Sequence, residues 1–318
     1  MRIAVVGAGA VGSLFGAGLA RAGHSVLLVG RPALVAAVRD RGLLVLGSGE
    51  AVYHLDATSQ IEFREPYPEA ALLTVKTFDL ESAAESVARA LPRPVPLLLP
   101  QNGLGVERKA SAALVRGGWN DPAPWSVRAV HSVPATLVAP GVVRVAGSGE
   151  VVLPDPAAAG PSTPRIELFR DLLRAAGFTV RTPPDFEREV WRKALVNAAI
   201  NPLTAVLGVR NGELLIGETR TRALLLLTEA RRAAQAAGFT FSEEEVVADF
   251  ERVARATAQN RSSMLQDLDR GRPTEIEAIS GEILRVASEH GIDIPATRVI
   301  VDEVRRRVEE RSRGPQPS

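Results

Sequence analysis

Arg2-Ile3-Ala4-Val5-Val6-Gly7-Ala8-Gly9-Ala10-Val11-Gly12 is a short apolar run that breaks into G-x-G-x-x-G, and an alanine-rich stretch of helical character continues from it to about Arg21. The order strand, glycine turn, helix carries a physical reading. The first glycine permits a tight turn, the second lets backbone approach a pyrophosphate, and the third lets helix and strand pack closely, with phosphate on the helix N-terminus. A second strand follows at Ser25-Val26-Leu27-Leu28-Val29. The expected fold class is therefore α/β, opening with a Rossmann-type dinucleotide-binding domain. Gly7, Gly9, Ala10, Val11 and Gly12 are its expected cofactor contacts.

The second strand ends in Gly30-Arg31, where a carboxylate would bond a ribose 2′-hydroxyl and repel a 2′-phosphate. An arginine there can grip phosphate with a bidentate fork, so the reading favours NADPH/NADP+; a plain solvated arginine is the alternative. Two later apolar runs end at Lys76 and at Gln101-Asn102-Gly103. Ligands of open parallel sheets lie beyond the carboxyl ends of the strands, which puts Lys76 and Asn102 within reach of cofactor or substrate. Residues 126–153 alternate apolar and polar positions and are expected to add antiparallel strands to the same sheet, with His131 in a structural role.

After the proline-rich break at 154–164, one more helix and strand precede Pro183-Pro184, and beyond that pair the period is helical throughout. The expected domains are 1–183, binding NADP, and 184–318, all-α and carrying substrate and catalytic residues, with a frayed tail at about 312–318. Ser242-Glu243-Glu244-Glu245 and Thr274-Glu275-Ile276-Glu277 each read as a capping box opening a helix. Apolar positions on the helical stretch 218–237 suit either a homodimer face or cover for the chain's own core.

Of the 38 cationic side chains, only Lys76, Lys109 and Lys193 are lysines. Guanidinium stays protonated at any working pH, so a proton donor is one place where arginine cannot substitute. Lys193, Asn197 and Asn201 fall at i, i+4 and i+8 in an otherwise apolar segment and form one stripe on a helix. The stripe reads either as a ligand-facing wall or as an ordinary core helix whose lysine reaches water. Lys109 reads as a solvated helix residue.

The 318 residues carry a net charge of +1, which gives no hint of nucleic acid or an anionic membrane as partner. There is no cysteine, and the four histidines lack ligand spacing, so no metal is expected. With no signal sequence or apolar span, a cytoplasmic protein is expected.

These residues resemble the ketopantoate reductases, or 2-dehydropantoate 2-reductases, along nearly the whole chain. Gly7 through Gly12 with Arg31 is similar to the family's cofactor motif and Gln101-Asn102-Gly103 to its nicotinamide-side loop. The stretches Lys193 to Asn201-Pro202-Leu203-Thr204, Asn211-Gly212-Glu213-Leu214 and Ser262-Ser263-Met264-Leu265-Gln266-Asp267 with Thr274-Glu275 complete the match. The resemblance implies NADPH-dependent reduction of ketopantoate to pantoate in the pantothenate and coenzyme A pathway, with Lys193 and Glu275 as the catalytic residues, Lys193 the general acid and Glu275 helping to position substrate. It implies that Asn197, Asn201, Asn260 and Ser263 hold the substrate's hydroxyl and carboxylate, and that Asn102 and Lys76 sit where cofactor meets substrate. Reduction of another 2-keto acid and a non-catalytic NADP-binding sensor are the competing functions; the small-molecule keto acid is the partner in the first two.

Overall fold

The computed structural model describes residues 1–47, 49–147 and 149–312, and by its internal contacts the chain divides into two compact units. Met1–Gln101 and Val106–Phe186 make the first; Asn102–Gly105 and Glu187–Ser318 make the second. Residues 313–318, the expected tail, lie outside the described residues, while Ser312 ends a helix.

The first unit runs β1 (Arg2–Val6), α1 (Ala10–Arg21), β2 (Ser25–Val29), α2 (Pro32–Arg41), β3 (Leu43–Leu46), β4 (Glu50–Tyr53), β5 (Asp56–Thr58), β6 (Ala70–Leu73), α3 (Leu80–Ala90), β7 (Leu97–Leu99) and α4 (Val106–Arg116). It continues through β8 (Ser126–Arg128), β9 (Val130–His131), β10 (Ala135–Ala139), β11 (Val142–Val145), β12 (Glu150–Val152), α5 (Thr163–Ala175) and β13 (Thr179–Arg181). Six strands form a parallel sheet in the order β5-β2-β1-β6-β7-β8. Parallel strands buried on both faces need apolar residues at odd and even positions alike, and β1 shows it. Ile3 and Val5 enter one core with Phe15 of α1 and Phe169 of α5, whereas Ala4 and Val6 enter another with Leu80 of α3 and Leu114 of α4.

The alternating segment 126–153 does not complete that one sheet antiparallel, as its pattern suggested. Its strands divide among three sheets. β8 joins the main sheet in parallel, β10 and β11 pair with each other and extend onto β3 and β4, and β9 pairs with β12, which carries β13 on its other edge. A period of two reports that a strand is half-buried but not which edge receives it. His131 packs its ring edge-on to Phe15, with centroids 6.1 Å apart.

The second unit is helical: α6 (Phe186–Leu207), α7 (Gly217–Ala236), α8 (Glu243–Ala256), α9 (Ser263–Asp269), α10 (Glu282–Glu289) and α11 (Pro295–Ser312), with a π-helical turn at Glu277–Gly281. α6 is buried nearly all round, through Ala194, Leu195, Val196, Ala198, Ala199, Ile200 and Leu203. α7 turns Ala223, Leu226, Leu227, Ala230 and Ala233 into its own unit, so its apolar stripe covers the chain's own core. Among the described residues no helix is long and apolar enough to cross a membrane.

The two expected capping boxes fare differently. Ser242 accepts the Glu245 amide at 3.1 Å, but the Glu245 carboxylate turns to Arg188 and Arg192 instead of back to the cap. The box at Thr274 does not form: Thr274 Oγ1 is buried without a hydrogen bond, and Glu277 is held by Arg305 of α11 through two 2.8 Å bonds. A bidentate carboxylate–guanidinium pair outcompetes a single bond to a backbone amide.

Candidate functional site

In the first unit the three glycines of the β1–α1 turn are glycines for different reasons. Gly7 has φ +105°, and a Cβ there would lie 2.4 Å from the backbone nitrogen of Val75. A Cβ on Gly12 would lie 2.4 Å from both the Gly7 carbonyl and Thr74 Oγ1. Both positions are dictated by the protein's own packing. Gly9 is not: its added Cβ would meet only the Gly7 carbonyl, at 3.9 Å. Gly9 N-caps α1 without a side chain, and no acidic residue stands in the first turn. The Gly9 amide donates to the Gly7 carbonyl at 2.6 Å, so the bare amides and the helix dipole facing the space above come from Ala10 and Val11, a donor set that fits an anionic group.

Two side chains to which sequence assigned no role brace this end of the sheet. Thr74 Oγ1 lies 2.8 Å from the Gly7 carbonyl and 3.2 Å from that of Val6. Gln101 donates its amide to the carbonyls of Leu73 and Val75, tying the ends of β6 and β7 together. A threonine closing an apolar strand and a glutamine directly before Asn102 were the available signals. Lys76 is half-buried and follows Val75, the residue lying against Gly7. Arg31 is exposed at the N-cap of α2, where its side chain makes no capping bond.

The second unit gathers the rest. Lys193 and Asn197 are half-buried on α6 and Asn201 is 6% exposed, one residue before Pro202, which interrupts the helix's hydrogen-bond ladder. Thr204 Oγ1 donates to the Ile200 carbonyl at 2.7 Å and lies 2.7 Å from Ser262 Oγ, which caps α9 by accepting the Leu265 amide. Ser263, exposed, is the first residue of that helix. The Asn260 carbonyl accepts the Asn211 amide at 3.0 Å, and Asn211 Nδ2 donates to Thr257 Oγ1 at 2.9 Å. The segment bearing Asn260 and Ser263 is thereby anchored to α6 and to Asn211. Thr204 and Ser262 were visible in sequence only as part of a motif, without this role.

Glu275 is 5% exposed, and Asn102 Nδ2 lies 3.3 Å from its Oε2, a bond spanning 173 residues of sequence. Asn102 therefore belongs with Glu275, whereas Gly7, Gly9, Ala10, Val11, Gly12, Arg31 and Lys76 belong to the first unit. Among the described residues no cluster of His, Asp or Glu is arranged to hold a metal.

The family description "Ketopantoate reductase PanE/ApbA" matches residues 3–158, and its C-terminal counterpart matches residues 185–308. A 2-dehydropantoate 2-reductase from Archaeoglobus fulgidus is 35% identical over 307 residues, covering 96% of this chain and 97% of its own length. A PanE/ApbA family ketopantoate reductase structure from Ralstonia eutropha superposes with a TM-score of 0.85 at 30% identity, covering 98% of this chain and 99% of that one. A D-mandelate dehydrogenase, solved with NADH and anilino(oxo)acetate, reaches a TM-score of 0.89 at 26% identity with the same coverage. Two family matches spanning both units, and relatives aligned end to end, place the chain in the ketopantoate reductase family.

Proposed function

We propose that the protein reduces 2-dehydropantoate to pantoate with NADPH, Lys193 serving as general acid. The observation that supports this reading most is the stripe of Lys193, Asn197 and Asn201 on a helix otherwise buried in apolar side chains. A lysine and two asparagines aligned on one face suit a substrate carrying a keto acid and a hydroxyl. Held by the amides of Ala10 and Val11, with the bare face of Gly9 allowing close approach, Arg31 on its 2′-phosphate and Lys76 beside it, NADPH would supply the hydride.

The chain's own residues do the rest. Lys193 donates its proton to the keto oxygen as negative charge grows there, and its ammonium attracts the substrate carboxylate beforehand. Asn197, Asn201, Asn260 and Ser263 hold the hydroxyl and carboxylate. Glu275 and Asn102, already bonded to each other, orient the substrate against Lys193. A rigid helix as the platform keeps the donor in line.

Arg31→Ala should raise the KM for NADPH about 10- to 100-fold, the scale of a lost charge-assisted hydrogen bond, while barely changing the KM for NADH. Steady-state titration of each coenzyme reads this, and equal responses would remove the phosphate clamp.

The likeness to D-mandelate dehydrogenase supports a second reading, reduction of a different 2-keto acid, since pocket shape and not the proton donor decides the substrate. The two readings separate on kcat/KM for 2-dehydropantoate against benzoylformate, the keto acid of mandelate. A preference for 2-dehydropantoate of a hundredfold or more is expected; a preference for the aryl acid would move the substrate and keep the chemistry.

A further inference from the structure

We propose that Gly103 is a positioning residue of this site, acting through Asn102 by pinning its loop to the π-turn that follows Glu275. The inference rests on the keto-acid reading above. The Leu104 amide donates to the Ala278 carbonyl at 2.8 Å. In an unbroken α-helix that carbonyl would accept the amide of Glu282. Here the Glu282 amide, at the end of the π-helical turn Glu277–Gly281, bonds the Ile279 carbonyl three residues back instead. A π-bulge inserts one residue and frees a carbonyl, and this one is taken by a distant loop.

Only glycine lets the loop come so close. Gly103 has φ +87°, and a Cβ there would sit 2.2 Å from the Ala278 oxygen and 2.6 Å from its carbonyl carbon. Gly103, Leu104 and Ala278 are all buried, so water cannot readily replace the bond. Asn102 immediately precedes the pin, and Glu275 lies three residues before Ala278. The seam is thus joined twice, by main chain at Leu104 and by side chain at Asn102. The 3.3 Å Asn102–Glu275 contact is near the upper limit for a hydrogen bond, so a loop lifted by a few tenths of an ångström loses it. The positive φ and the close approach at Gly103 therefore set where Asn102 and Glu275 meet.

The test is a double-mutant cycle on kcat/KM for the 2-keto acid with NADPH. Gly103→Ala alone should cost about 10- to 100-fold, the scale of a reacting group misplaced by an ångström. In an Asn102→Ala background the same change should cost less than about threefold, because the pin has nothing left to position. Gly103→Asn, which tolerates positive φ but keeps the Cβ, should fail like alanine. Amide hydrogen exchange at Leu104 in the wild-type protein needs no variant: slow exchange is expected, and exchange at the rate of an exposed loop overturns the pin even if Gly103→Ala fails to fold. Additive losses in an active enzyme overturn the role alone. A wild-type enzyme inert toward every 2-keto acid overturns the functional reading, and this role with it.

Discussion

Replacing Lys193 by methionine should lower kcat by about 10²- to 10⁴-fold while leaving the Kd for NADPH nearly unchanged. Methionine keeps the length and can pack against Val190 and Val196, one turn to either side on α6, but it carries no proton. The loss would therefore report proton donation and not a collapsed helix. Lys193→Arg should recover little, because a guanidinium holds its proton too tightly to give it up and presents a planar fork where an ammonium stood. Stopped-flow reduction together with coenzyme titration separates the two quantities. Full turnover in the methionine variant would remove lysine from the chemistry, and an equal loss in NADPH binding would mark it as a cofactor contact.

The largest stability effect is expected far from the stripe. Glu229, in the middle of α7, is 4% exposed and accepts the amides of Ala296 at 3.0 Å and Thr297 at 2.7 Å, together with the Thr297 hydroxyl at 2.8 Å. These groups open α11, whose first turn has no acidic residue of its own and whose first position is Pro295, where a missing amide costs nothing. The carboxylate of one helix thus caps another. Glu229→Ala would bury three donors without an acceptor, at about 1 kcal/mol or more each, so a loss of roughly 3 kcal/mol is expected in denaturant unfolding. Glu229→Gln, which keeps one acceptor oxygen, should cost about half as much. An unchanged unfolding midpoint in the alanine variant would refute the cap.

The parts of this molecule that were legible in sequence are those whose signals are local. The turn from Arg2 to Gly12 announces itself because Gly7 and Gly12 answer nearby steric demands, while Gly9 is a glycine that nothing in the protein's own packing requires. The Lys193 stripe was legible because helical spacing alone aligns residues four apart. What sequence missed is what long-range contacts decide. Residues 135–145 look like any half-buried hairpin, and only pairing with β3, some hundred residues away, assigns them to a separate sheet. Thr274-Glu275-Ile276-Glu277 has the letters of a capping box, but Arg305 takes the Glu277 carboxylate. Thr204 and Ser262 are 58 residues apart, and Asn102 and Glu275 are 173 apart, so no window could join them. Glu229 takes its role from amides at 296 and 297, 67 and 68 residues further along the chain.

The central claim is that the stripe on α6 serves the reduction of a 2-keto acid at the expense of NADPH. Its most direct measurement is the amount of pantoate formed per NADPH consumed when the purified protein is mixed with 2-dehydropantoate. One pantoate for each NADPH, at a rate that vanishes in the Lys193→Met variant, is the predicted result. Tight NADPH binding without turnover of this or any other 2-keto acid would contradict the claim and leave a cofactor-binding sensor in its place.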